Sequence, residues 1–346
     1  MTATRQALLL LVRLGGDKDQ SPTIWNDCCQ DKVDWLRLFD LAREQGVDAI
    51  CVDGLARLAD AGMAVQFKAD SPEEDCYFKA LGTSMHLEME YRLYHQATTD
   101  LARLMMDHGI DMVVLKGLSC GACYPRPDHR SYGDMDLYFG DRWRDADKII
   151  ADKGIEIDKR HHHHTCYAWQ GFMVENHYDF FDIHAHRSSK RMEAYLKTLP
   201  LKGWQTSWDW YLPSAQLHAT FLLHHSAAHF AGAGLVVRHL LDWYLFKKVE
   251  GDRVDWQELE RAAVEFGKDK FLRVMEHLCE FLFVDSSFPL DEVEQRVLAD
   301  MFSEAPREGW RRWWSRQWKY RLSYSDNGLV DDFTMLWSHI IRPNID

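Results

Sequence analysis

The chain has 346 residues, enough to bury at least one full core, and this length suggests about two domains. Its 41 basic and 54 acidic side chains leave a net charge of −13, so no global basic field draws it to nucleic acid. The eight cysteines are scattered, with only Cys28-Cys29 and Cys120-x-x-Cys123 close together; they lack the second pair of a zinc ribbon and read as reduced, buried thiols of a cytoplasmic protein.

Near the N-terminus, Ala7 to Val12 is apolar but too short for a signal core, Arg13 interrupts it, and no small-residue cleavage site follows. The run therefore predicts an amphipathic helix, and no later segment approaches the roughly 20 apolar residues of a membrane span. Residues 1–75 carry helix-period apolar positions, such as Trp35, Leu38, Phe39 and Ala42, punctuated by Gly46, Gly54 and Gly62. A long helix is predicted over 76–108, leading into a strand at 112–115. That strand stops at Lys116-Gly117 and passes into the small residues Ser119 to Cys123. Such a turn exposes backbone N–H groups, which attract phosphate.

Next comes Arg130-Ser-Tyr-Gly-Asp134-Met-Asp136-Leu137. In a strand alternate side chains share a face, so Asp134 and Asp136 point one way while Met135 and Leu137 point the other. Paired carboxylates are hard oxygen ligands suited to Mg²⁺ or Mn²⁺, ions that serve phosphoryl and nucleotidyl transfer. A helix is predicted over 141–153, ended by Gly154 as its C-cap. His161 to His164 reads as a solvated loop before a strand-like run, with metal binding as the alternative. Residues 171–184 read as one or two strands, offering Glu175 or Asp182 as a third carboxylate; three acids from two strands can hold two metals.

From Pro213 the pattern is helical nearly to the end, with breaks near Gly232, Gly251, Gly267, Pro289 and Pro306, and with no internal repeat. Two histidine pairs stand out. His184 and His186 would share a strand face, and His225 and His229 lie at i, i+4 on a helix, a spacing that can chelate zinc. With Asp182 they would outline a metallohydrolase, but His225 lacks the adjacent Glu that a zinc protease uses as base, and a packed or substrate-facing helix is the plainer reading. Between Trp310 and Tyr320, basic and aromatic residues interleave as if to stack bases. On a helix, however, Trp310, Trp313, Trp314 and Trp318 form one stripe, usually core, with Arg311, Arg312 and Arg316 on the wet side.

On these residues the chain resembles the nucleotidyltransferase-like proteins of the DNA polymerase β superfamily, and more closely a bacterial branch described as uncharacterised nucleotidyltransferases. Leu115-Lys116-Gly117 corresponds to that branch's Leu-Lys-Gly turn, and Arg130 to Leu137 to its Arg-x-x-x-Asp-x-Asp-Leu. Val174-Glu175-Asn176-His177 corresponds to its Val-Glu-x-His strand, and Arg238 to Asp242, more loosely, to its Arg-x-Leu-x-Asp element. In the wider superfamily the first turn is usually Gly-Ser or Gly-Gly. Here Lys116 precedes the Gly and Ser119 is displaced by one, so a positive charge would replace a hydroxyl contact.

The resemblance implies an α+β fold: a small mixed β-sheet core at 110–200 between an N-terminal helical region at 1–109 and a C-terminal one at 201–346. Asp134, Asp136 and Glu175 would hold one or two Mg²⁺ or Mn²⁺ ions; the resemblance favours Glu175, while spacing leaves Asp182 open. Lys116, Gly117 and Ser119 would position a nucleoside triphosphate, and Arg130 would bind phosphate or orient the carboxylates. His177, Asp182, His225, His229, Arg238 and Asp242 would line the cleft. The expected reaction is attack of an acceptor hydroxyl or phosphate on the α-phosphate, with pyrophosphate leaving. No motif names the acceptor. Two other classes stay open: the His/Asp metal-dependent hydrolase, and a non-catalytic regulatory module that keeps the fold and acts with a protein partner.

Overall fold

The N-terminal third is helical: α1 (Ala3–Gly16), α2 (Trp35–Glu44), α3 (Asp48–Asp60) and the long α4 (Pro72–Met106). The computed structural model describes residues 2–28, 30–184, 186–206, 209–303 and 310–324. Local chemistry sets the helix starts. Thr2, Asp34 and Ser71 each accept a backbone N–H of the first turn, and α4 adds Pro72 with Glu73, Glu74 and Asp75 at its positive end. Small residues let α1 and α3 cross closely: a Cβ at Gly15 would stand 1.9 Å from the Ile50 carbonyl oxygen.

The middle of the chain builds a six-stranded mixed sheet. Its elements are β1 (Val113–Val114), α5 (Leu118–Gly121), β2 (Met135–Tyr138), α6 (Trp143–Ala151), β3 (His164–Trp169), β4 (Phe172–His177), α7 (Arg187–Leu196), β5 (Lys202–Gln205) and β6 (Tyr211–Pro213). The strand order is β3-β4-β2-β1-β6-β5. β2 pairs antiparallel with β1 and parallel with β4, and β6 adds to β1 in parallel. β3 and β4 form a hairpin whose two turn residues, Gln170 and Gly171, both have positive φ, +50° and +92°, matching the right-handed strand twist. The helices that follow are α8 (Ala215–Gly232), α9 (Val237–Glu250), α10 (Trp256–Glu265), α11 (Asp269–Cys279), α12 (Glu292–Met301) and α13 (Trp310–Ser323).

Alternation within the strands divides the core. Met135, Leu137 and Val174 face α4 and α6, joining Leu101, Met105 and Ile150 in one cluster. Val113, Leu115 and Tyr138 face the other way, into a larger cluster that unites α1, α2 and α3 with α8, α9 and α11. Arg13 locks this second layer: its guanidinium donates to the carbonyls of Phe281 and Leu282 at 2.7 and 2.6 Å. The two helical regions thus share one core against one face of the sheet.

The structure departs from the sequence reading in several places. Residues 178–184 turn instead of forming a second strand, because the Asp182 carboxylate accepts the His184 N–H at 2.8 Å. His184 is therefore exposed in a turn and His186 caps α7, accepting from Ser188 N–H at 3.1 Å, so the two do not share a strand face. Asp182, His184 and His186 thus supply no common ligand set with His225 and His229. His161 to His163 form a half-buried loop, but His164 opens β3 and is 6% exposed. The described cysteines are free thiols. Among the described residues no helix is long and apolar enough to cross a membrane. The Pro306 break and the side chains from Trp310 to Arg316 lie outside the described residues.

Candidate functional site

Register brings the acids together. In the parallel β2–β4 pair Asp136 stands opposite Glu175 and Tyr138 opposite His177; in the β3–β4 hairpin Cys166 stands opposite Glu175 and His164 opposite His177. All of these side chains share the face away from α6. His177 Nδ1 donates to the Asp179 carbonyl at 3.3 Å, which turns Nε2 toward Asp136 Oδ1 and Glu175 Oε2, each 3.4 Å away. These are ionic contacts, long for hydrogen bonds. Burial opposes charge on His177, but the two carboxylates outweigh it and push its pKa up to about 9. Burial likewise works against the Asp136 carboxylate, yet His177 and Lys116 hold it below the usual range. Asp134, exposed just ahead of β2, goes the other way: burial, then the charges of Glu175 and Asp136, raise it. Its carbonyl accepts from the Tyr94 hydroxyl of α4 at 2.9 Å.

The Lys-Gly turn lies beside this face. Gly117 has φ +66°, and a Cβ there would meet the Tyr94 hydroxyl at 2.9 Å, so the turn requires glycine on two counts. α5 is a single turn, and Ser119 is turned inward: its hydroxyl donates to the Val114 carbonyl, so the structure does not bring it to the carboxylates. Lys116 instead reaches α8, where its ammonium bonds His225 Nε2. Burial lowers Lys116, and the nearby Asp136 partly offsets this. His225, His229 and His239 follow one another, edge-on and then tilted, with ring centroids 4.4 and 5.0 Å apart. Burial holds all three below the ordinary imidazole range, His229 at about 4, so each is neutral near pH 7.

Arg130 and Asp242 meet each other rather than a ligand. Arg130 Nε and Nη2 each donate to one carboxylate oxygen of Asp242 at 2.8 Å, and the Tyr124 hydroxyl adds a third bond at 2.7 Å. The two side chains are 3% and 5% exposed. Two edges of the forked donor, expected to bind phosphate or to orient the carboxylates, meet Asp242 here. Arg238, in contrast, bonds Ser131 through Nη1 while its buried Nε has no partner. With His229, His239 and Ser131 it lines a cavity of about 510 Å³ to which Thr83 and Leu87 also contribute.

The comparisons with known proteins agree with the strand geometry. The family model described as "Uncharacterised nucleotidyltransferase" matches residues 31–284, well over half of the chain. The chain belongs to this nucleotidyltransferase family. It is a transferase, and nucleotidyl transfer is its general reaction. No curated protein matches it. The solution structure of the antibiotic-resistance factor ANT(2'')-Ia matches over 53% of this chain and 96% of that one, at 12% identity and a TM-score of 0.36, a likeness too loose to bear on chemistry.

For a nucleotidyltransferase, this face gathers groups of the kind that can hold a metal ion. Ligand atoms of Asp136, Glu175 and His177 lie within 4.8 Å of one another, and burial, then the charges of Glu175 and Asp136, make Asp134 hold its proton more tightly. Sequence reasoning overlooked Tyr94, Cys166 and His239 and did not place His164 at the site. His164 and Cys166 had a signal: Gln170-Gly171 between two apolar runs marks a hairpin, which would have set β3 beside β4.

Proposed function

We propose that this nucleotidyltransferase moves a nucleoside monophosphate from a nucleoside triphosphate to a hydroxyl or phosphate acceptor, on the face formed by Asp134, Asp136 and Glu175. The observation that carries this reading is the β2–β4 register, which sets Asp136 against Glu175 beside Lys116. Glu175, not Asp182, is the third carboxylate. Mg²⁺ or Mn²⁺ held by these three acids supplies charge neutralisation for an in-line displacement at phosphorus. The protein's own task is then positioning. His177 spaces the two carboxylates, and Lys116, steadied by His225, presents a point charge to the triphosphate. Arg238 offers its unpartnered Nε to a phosphate oxygen at the cavity wall. Arg130 acts at one remove, tying the segment before β2 to α9 through Asp242. The acceptor oxygen bonds to the α-phosphorus, the bond to the bridging oxygen breaks, and pyrophosphate leaves. The core at 110–200 carries this chemistry, and the helices after Pro213 close the cleft and choose the acceptor.

Calorimetric titration of metal-free protein with a panel of nucleoside triphosphates, with and without Mg²⁺, tests the reading beside Asp136→Asn. Mg²⁺-dependent binding that the variant lacks is expected. Equal binding by the variant would sink the assignment, and no binding of any triphosphate would favour the non-catalytic module.

A further inference from the structure

At the outer edge of the carboxylate face, His177 is met by two imidazoles, His163 and His164, for which the transfer reaction has no use. His163 Nδ1, both ring nitrogens of His164 and His177 Nε2 are buried without a hydrogen-bond partner. His164 and His177 are 6% and 3% exposed, so water does not satisfy them. The rings converge, with centroids 4.3 Å apart for His163–His164, 5.4 Å for His163–His177 and 5.2 Å for His164–His177. One nitrogen from each lies within 4.8 Å of the others. A second group overlaps it: His161, His164 and the buried Cys166 thiol fall within the same 4.8 Å limit. Buried polar atoms without partners are costly, and a cluster of them that faces inward asks for a ligand.

We propose that His163, His164 and His177 bind a divalent transition-metal ion of the Zn²⁺ class, at a site beside the hard cation of the carboxylates, with His177 turning from the two acids to the ion. Imidazole nitrogen is a borderline donor that selects zinc, cobalt, nickel or copper over magnesium, whereas Asp134 and Asp136 offer only hard oxygen. Three nitrogen ligands leave one tetrahedral position, and Glu175 Oε1 is already 3.7 Å from His164 Nε2. The ion would clamp the start of β3 to the end of β4, the strand that carries Glu175. The site's existence does not depend on the nucleotide reading.

Co²⁺, whose tetrahedral nitrogen complexes absorb in the visible, is the probe. Titrating the metal-free full chain in excess Mg²⁺ is expected to give tetrahedral bands that saturate at about one equivalent and that Zn²⁺ displaces. His163→Asn and His164→Asn should each weaken binding at least about 10-fold, while the exposed His108→Asn does not. Asp134→Asn should keep the bands, so failure of the nucleotide site and failure of this one are distinguishable. Absence of the bands, or parental affinity in both histidine variants, overturns the proposal. X-ray absorption of the Zn²⁺-loaded parent needs no variant: imidazole scattering is expected, and an all-oxygen shell would refute the site.

Discussion

Two buried ionic clusters lie on adjoining parts of this molecule, and they differ in how completely they are satisfied. Arg130, Asp242 and Tyr124 form a closed set, each bond 2.7 to 2.8 Å long. Asp136, Glu175 and His177 form an open one, held at 3.4 Å with His177 Nε2 unpartnered. In the closed cluster both Asp242 oxygens are paired, so its charge is balanced within the fold. An open cluster keeps lone pairs and charge in reserve, which is what a binding site must do. Motif matching alone ranks Arg130 and Asp136 together; hydrogen-bond completeness separates them.

The sharpest way to break this contrast is to remove one member of the closed pair. Arg130→Ala should cost about 3–5 kcal/mol of stability by chemical denaturation, because Asp242 is then a buried charge alone. Replacing both partners, Arg130→Met with Asp242→Leu, should restore most of that loss; a double variant as unstable as the single one would show that the site of the pair, not its charge, matters. The open cluster should behave oppositely. Asp136→Asn is expected to lower pyrophosphate release from a nucleoside triphosphate at least about 100-fold while denaturation shifts little, and a stability loss as large as that of Arg130→Ala would erase the distinction. Between the two clusters, Gly117→Ala should cost about 1–3 kcal/mol, with Tyr94→Phe in the same chain recovering only the part due to the hydroxyl contact.

The smallest effect is electrostatic. Burial disfavours the Asp242 carboxylate, but Arg130 outweighs it and holds the group at about 2. Because the folded value lies below the unfolded one, near about 4, the pair's stabilisation is present above that pH and fades as pH falls toward 2. Denaturation across this window should show a shallower acid slope in the double variant than in the parent; identical slopes would remove Asp242 from the account.

Much of this was legible in the chain. The helix at 141–153 appeared as a short 3₁₀ turn followed by α6, with Gly154 beyond it at φ +81°, and the long helix appeared as α4, begun earlier by Ser71-Pro72. The alternation of Met135 and Leu137 against Asp136 was also plain, since a strand with one apolar face permits one register. The choice between Glu175 and Asp182 was not, because cross-strand register and a side-chain turn separate them. Arg130's partner lies 112 residues away, beyond any local pattern. β5 and β6 are too short to show a period. The histidine run looked wet because four adjacent polar residues usually are; only the fold puts His164 across from His177.

The contact between Lys116 and His225 spans 109 residues of sequence. Antiparallel β1 and β2 can meet early, but the parallel joint of β1 to β6 waits for the whole of β3 to α7 to be made, and α8 follows directly. Distant pairings form late, since loop closure must be met before they repay it. A chain still emerging during synthesis would therefore carry the acids of β2 and β4 well before Lys116 finds its imidazole, so the Lys116–His225 contact matures only when the last strand docks.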